Sequence, residues 1–132
     1  MIRRDWYKRQ VEIMAQAIGT MLGLRQKGDT QAAIAAAEKA VRDAFGMDGK
    51  LALGLSLEQV LFFACRGQKA SPELLSSLAE LICAWGEALD AAGRSEDARR
   101  AAERTIELRR LAGGNPSQGA EKGPLSREAG EG

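Results

Sequence analysis

The sequence predicts an all-α fold, and three observations support this prediction. Apolar residues recur at steps of three and four along most of the chain, which is the spacing of helices with one buried face. Alanine supplies much of the apolar content and aromatic residues only 5%, a composition that favours closely packed helices. A glycine followed by an alanine-faced helix also occurs twice, at residues 28–41 and 93–106, which align without a gap. Five residues coincide in this alignment: Gly28/Gly93, Ala33/Ala98, Ala36/Ala101, Ala37/Ala102 and Glu38/Glu103.

The repetition predicts two helical hairpins, of which the first covers residues 4–45. Its first helix, residues 4–27, carries a broad apolar stripe and ends at Gly28, where a left-handed backbone costs little. Asp29 can cap the second helix, residues 30–45, by accepting from its free backbone N–H groups. The alanines along that helix allow a neighbouring helix to approach near the short end of the usual range of about 8–10 Å.

A short apolar helix is predicted between the hairpins, from Leu57 to Cys65. Ser56 and Gln59 have the spacing of a capping box at its start. Because this helix is apolar on nearly every side, we expect it to be buried on several sides, lodged between the two hairpins. Residues 47–50, just before it, are interpreted as a turn.

The second hairpin is predicted to end near residue 111. Ser71 and Pro72 begin its first helix with a capping hydroxyl and a proline in the first turn, and Gly93 ends it. Ser95 caps the helix that follows.

The composition changes abruptly after the second hairpin. Residues 113–132 are rich in glycine, contain two prolines and have almost no large apolar side chains, so they cannot offset the entropy lost on ordering. The sequence therefore predicts a helical domain over residues 1–112 and a disordered tail over residues 113–132. Together the elements form a compact five-helix bundle of two hairpins and an intervening short helix.

The hairpins resemble tetratricopeptide repeats (TPR). The matching residues are Gly28 and Gly93 at the turn, Ala33 and Ala98 five residues later, and Gly86 seven residues before the second turn. The departures are Met21, where the motif has the earlier glycine, and Phe45 and Arg110, where it closes with proline. The short apolar helix also separates the two hairpins. The resemblance implies a compact TPR-like bundle of helices with repeat ancestry.

The N-terminus is similar to that of a family of small uncharacterised bacterial proteins. The similarity rests on Asp5-Trp6 followed by Arg9 and then by Val11-Glu12. Members of this family continue into TPR-like helices and have no assigned activity. This second resemblance therefore implies a bacterial protein and an architecture, but no reaction.

The composition excludes most common catalytic chemistry. The chain has no histidine, which removes Ser–His and Cys–His pairs, histidine metal motifs and the commonest general base near neutral pH. Its scattered glycines form no phosphate-binding loop. We therefore expect no enzyme, and with it no catalytic residues, metal, cofactor or small-molecule substrate. A site made of carboxylates alone, from Glu80, Glu87 and Asp90, is the enzymatic alternative.

The TPR resemblance adds a hypothesis about binding. In TPR proteins the first helix of each hairpin lines a concave groove. By position, this implies a surface for a protein or peptide partner made of Glu80, Cys83, Glu87 and Asp90 from the second hairpin and Ile18, Leu22 and Arg25 from the first. Such a groove is acidic at one end and apolar at the other, and it suits a basic peptide or another copy of the chain, giving a homo-oligomer. In the alternative, two hairpins form no groove and these residues cover a compact bundle.

Charge is unevenly distributed, although the formal net charge is +1. Residues 1–28 carry six basic and two acidic side chains, and residues 29–93 nine acidic and five basic ones. These charges either belong to solvated helix faces or allow one region to dock on the other, within or between chains.

A basic patch beside Trp6 and Tyr7 makes nucleic-acid binding the alternative function; it consists of Arg3, Arg4, Lys8 and Arg9. The two aromatic residues also fit the apolar stripe, which favours a place in the core.

The remaining signals concern location. Cys65 and Cys83 lie in apolar segments, which predicts buried free thiols in a reducing cytoplasm. Charged residues interrupt the N-terminal segment too early for a signal peptide. No stretch approaches the roughly 20 apolar residues that span a bilayer. We therefore expect a cytoplasmic protein without membrane association.

Overall fold

The computed structural model describes residues 2–65 and 70–113, with side chains from residue 7 onward. These residues are almost entirely helical and form no strand, which confirms the all-α prediction. The helices are α1 (Ile2–Gln26), α2 (Thr30–Phe45), α3 (Gly49–Gly54), α4 (Leu57–Ala64), α5 (Pro72–Ala91) and α6 (Ser95–Gly113). The predicted disordered tail lies outside the described residues, except for Gly113, which is the last residue of α6.

The two predicted turns close in the same way. Gly28 and Gly93 have φ values of 82° and 81°, a region that a side chain would strain. After each glycine, the next backbone N–H returns to the preceding helix: Asp29 N donates to Leu24 O and Arg94 N donates to Leu89 O, both at 2.9 Å. This pattern satisfies carbonyls at the helix end and makes α1/α2 and α5/α6 two similar hairpins.

Helix α5 lies at the centre of the structure. It packs against α6 within its own hairpin and against both α1 and α2 of the other. Its largest side chains, such as Leu81, Trp85 and Leu89, are fully buried. Since burying a large apolar side chain stabilises a fold by about 1.5–3 kcal/mol, this helix holds the two hairpins together.

The interpretation of residues 47–50 as a turn was wrong in part, because helix α3 begins at Gly49. The Asp48 side chain accepts from Lys50 N at 2.9 Å and caps the new helix. Gly49 lies so close to α2 that an added Cβ would come within 2.7 Å of the Glu38 Cγ. Tertiary packing thus stabilises a helix of only six residues, and the described chain contains six helices rather than five.

The expected position of the short apolar helix, now α4, was also wrong. Its capping box forms between Ser56 and Gln59, but the helix buries only Val60 and Ala64. Phe62 and Phe63 are 64% and 54% exposed. Because α5 packs directly on α1 and α2, no space remains between the hairpins, and α4 packs against α2 instead.

Candidate partner-binding surface

The four residues proposed from α5 lie along one face of that helix. Their spacing of three, four and three residues places Glu80, Cys83, Glu87 and Asp90 in one row. The three carboxylate residues are exposed, and Cys83 is half-buried. Within the described segments, no group of three or more cysteine, aspartate or glutamate side chains is arranged to hold a metal ion.

A groove of about 550 Å³ runs between α5 and α6 on this side of the protein. On α5 it is lined by Cys83, Gly86, Glu87 and Asp90. On α6 it is lined by Ser95, Ala98, Arg99, Ala102, Thr105, Ile106 and Arg109. The structure therefore brings three of the sequence-derived residues into one groove, whereas Glu80 does not contribute to its lining.

Small residues form the floor of the groove. An added Cβ at Gly86 would lie 3.0 Å from the Cβ of Ala101, so α5 and α6 approach closely at this point. Ala98 and Ala102 flank the contact on α6. Ile106, which is 45% exposed, lies along the same side of α6. The centre of the groove is thus apolar, and its charged groups lie at its edges.

The residues proposed from α1 do not line the groove, and among them Arg25 alone forms an ion pair with one of its lining residues. Arg25 Nη1 donates to Glu87 Oε1 at 3.0 Å, which connects the two hairpins at the groove edge. Both side chains are partly exposed, so this pair contributes about 0.2–1 kcal/mol. Leu22 is 49% exposed and Ile18 is partly buried against the core. The acidic edge of the groove is therefore partly neutralised by α1.

Sequence reasoning missed the α6 half of the groove. A signal for it was present in the internal repeat, because Ala102 and Ile106 align with Ala37 and Val41 of α2. Ala37 is fully buried and Val41 is 3% exposed, whereas their counterparts on α6 are exposed. Only the structure shows this difference, since the residue types are nearly the same.

The basic patch is described in part. Lys8 and Arg9 are exposed, and the side chains of Arg3 and Arg4 lie outside the described residues, as does that of Trp6. Tyr7 is partly buried and packs against the core. Nucleic-acid binding by this patch stays a prediction.

The two cysteines differ in their surroundings, and both are free thiols. Cys65 is buried after α4, as predicted, and burial raises the pKa of its thiol because the thiolate would lose its hydration. Cys83 was predicted to be buried but is only half-buried, since it borders the groove.

No protein-family model, curated protein or solved structure matches this chain. The resemblances to TPR hairpins and to a bacterial family therefore stay predictions. Among the described helices, none combines the length and apolarity needed to cross a membrane. The assignment of a function thus depends on the groove itself.

Proposed function

We propose that this chain is a non-enzymatic, TPR-like protein-interaction module that binds a helix in the groove between α5 and α6. The observation that carries the proposal is the unequal burial of matching positions on α2 and α6. Val41 is 3% exposed on α2, and Ile106 at the matching position on α6 is 45% exposed. The second hairpin therefore presents a face that the first hairpin keeps covered.

The first hairpin supplies an internal example of how such a face is covered. Helix α5 packs against both α1 and α2, so a helix lies across the first hairpin. Among the described residues, α6 packs mainly against α5 and has a small contact with α3. A partner helix laid along α5 and α6 would bury Ala102 and Ile106, as Ala37 and Val41 are buried on α2.

The lining of the groove defines the chemistry of the partner. Its small apolar floor accepts an apolar side chain, and helix-in-groove recognition commonly uses such anchors. Asp90 near the turn attracts a basic residue, and Arg109 at the other end attracts an acidic one. Two free thiols support a reducing location, and we place this activity in the cytoplasm.

A capture experiment with a matched pair of variants tests this proposal. Ala102→Glu puts a charge at the exposed centre of the groove, whereas Ala35→Glu puts the same charge on an exposed site of α2 outside it. We expect the wild-type chain and Ala35→Glu to retain the same partner from the native cell extract, and Ala102→Glu to lose it. Circular dichroism checks that both variants keep their helical content. Equal capture by all three proteins would show that the groove is not the binding site.

A further inference from the structure

The charged groups of the groove lie in a regular order along it. Gly86 lies against Ala101, which provides a reference height for the antiparallel helices α5 and α6. From that contact, Asp90 lies four residues toward the turn and Arg109 eight residues toward the open end of the hairpin. A rise of 1.5 Å per residue separates the two by about 18 Å along the groove. Within the described segments, neither side chain takes part in an ion pair.

A second pair of opposite charges has the same midpoint. Arg99 lies two residues from the reference contact toward the turn. Glu80 is exposed on the same row of α5 beyond the groove lining, six residues from that contact toward the open end. The midpoint of both pairs is two residues from Gly86, on the side of the open end. Arg99 contacts Glu96 and Glu103 on its own helix, but all three side chains are largely exposed, so these pairs are weak and exchange readily.

A two-fold axis can bring both pairs of opposite charges to the same height only if the two pairs have the same midpoint along the groove. When two grooves face each other about an axis at this height, perpendicular to the helices, each end of one groove meets the opposite end of the other. Asp90 of one copy then lies at the height of Arg109 of the second copy, and Arg99 at the height of Glu80, with the two members of each pair on diagonally opposite helices. Each contact occurs twice, so the surface is complementary in charge to itself.

The apolar centre fits the same arrangement. Ile106 lies five residues from the reference contact toward the open end, which is three residues beyond the axis. The two-fold operation places Ile106 of one copy three residues beyond the axis on its other side, about one residue from the height of Gly86 in the second copy. There it faces the small residues Gly86 and Ala102. A large exposed side chain therefore meets a gap between small ones, as in ridge-into-groove helix packing.

We propose that two copies of this chain pair through their α5–α6 grooves about a two-fold axis. The proposal rests on the proposed function, because it names a second copy of the chain as the occupant of that groove. It places α5 and α6 of both copies in a four-helix arrangement, with Cys83 of each copy close to the axis.

A charge-exchange experiment tests the pairing. Asp90→Arg alone sets arginine against Arg109 at two places, and Arg109→Asp alone sets aspartate against Asp90. Analytical ultracentrifugation of the full chain under reducing conditions should show a dimer for the wild type and dissociation constants raised about tenfold or more for each variant. An equal mixture of the two variants restores opposite charges at both places, and we expect it to dimerise as the wild type does.

Two controls complete this experiment. Ala102→Glu should also give monomers, and Ala35→Glu should leave the dimer intact, with circular dichroism confirming that each variant is folded. A wild-type chain that stays monomeric at every concentration overturns the homodimer, while the capture experiment still decides whether the groove binds a different protein. A dimer that is insensitive to both Ala102→Glu and the charge variants likewise overturns the pairing through this groove.

Cross-linking at Cys83 provides an independent test. Cys83 lies three residues from Gly86 toward the open end and therefore about one residue from the height of the axis. Cys65 is buried, so we expect the reagent to react at Cys83. A bismaleimide with a spacer of about one interhelical distance, roughly 8–10 Å, should link two wild-type chains and fail to link Cys83→Ser chains. Equal linking of both proteins contradicts the proposed position of the axis.

Discussion

At the scale of single residues, Cys65 shows how burial changes the chemistry of a side chain. Its thiol is enclosed at the end of α4, and the loss of hydration disfavours the thiolate and raises the pKa above the ordinary value of 9.0. In the unfolded chain the same thiol is hydrated. Loss of the Cys65 thiol proton at alkaline pH therefore favours the unfolded chain.

We expect Cys65→Ala to make stability less sensitive to alkaline pH. The contribution of the neutral thiol is fully present below the unfolded pKa of 9.0 and is lost as the pH rises through the higher folded pKa, because the unfolded state then binds fewer protons. The wild type should lose more free energy of unfolding than Cys65→Ala between about pH 8 and pH 10, as measured by urea denaturation. Lysine and tyrosine residues titrate in both proteins, so the difference between the two pH profiles reports Cys65. Parallel pH profiles would count against this assignment.

Glycines at two helix positions should respond in opposite directions to substitution. Space is open around Gly19, so Gly19→Ala should raise the free energy of unfolding by roughly 0.5–1 kcal/mol through helix propensity. A Cβ added at Gly86 would lie only 3.0 Å from the Cβ of Ala101, so Gly86→Leu should lower the free energy of unfolding by about 1–3 kcal/mol through overpacking. Chemical denaturation measures both values. A stabilised Gly86→Leu variant would contradict the close approach of α5 and α6.

At the scale of helices, one arginine of α6 binds the C-terminal end of α3. Arg104 Nη2 donates to Leu55 O at 2.6 Å, and its Nη1 donates to Ala52 O at 3.4 Å. The side chain is only 11% exposed. Its charge lies at the carbonyl end of α3, where cations stabilise a helix. The contact attaches this short helix to the second hairpin.

We expect Arg104→Ala to release α3. Loss of hydrogen bonds from a charged donor to these partly buried carbonyls should cost about 1.5–3 kcal/mol. Hydrogen exchange should accelerate in residues 49–55 more than in α5. Arg100→Ala is the matched control, since Arg100 is exposed and contacts Glu96 at 3.6 Å. Similar exchange in both variants would mean that α3 is held by its apolar contacts alone.

At the scale of the whole molecule, the position of α5 decides which faces are covered and which remain open. It lies across the first hairpin and leaves the outer face of its own hairpin exposed. The charge-exchange experiment belongs to this scale, because it tests whether a second copy covers that face. The predicted intervening helix cannot cover it, since α4 packs against α2.

The sequence by itself determined the local structure of this protein. Glycine turns, capping side chains such as Asp29 and Ser71, and helical periodicity are properties of neighbouring residues, and these appear in the structure as predicted. The predicted cap at Ser95 was wrong, because Ser95 is the first residue of α6. Helix α3 escaped prediction because it packs closely on α2 at Glu38 and accepts hydrogen bonds from Arg104 of α6, and these contacts come from other parts of the chain. The position of α4 was also decided by distant contacts. Its apolar composition suggested burial between the hairpins, but α5 packs directly on α1 and α2 and leaves no space there.

Only the tertiary structure decided where the binding surface lies. The sequence named Cys83, Glu87 and Asp90, because helical spacing alone places them on one face of α5. It did not pair them with Ala102 and Ile106, since exposure depends on which helix covers a face rather than on residue type. Ala37 and Ala102 are the same residue at matching positions of the repeat, and one is buried and the other exposed. The reason is tertiary: α2 packs against α1, α3, α4 and α5, whereas α6 packs, within the described residues, mainly against α5.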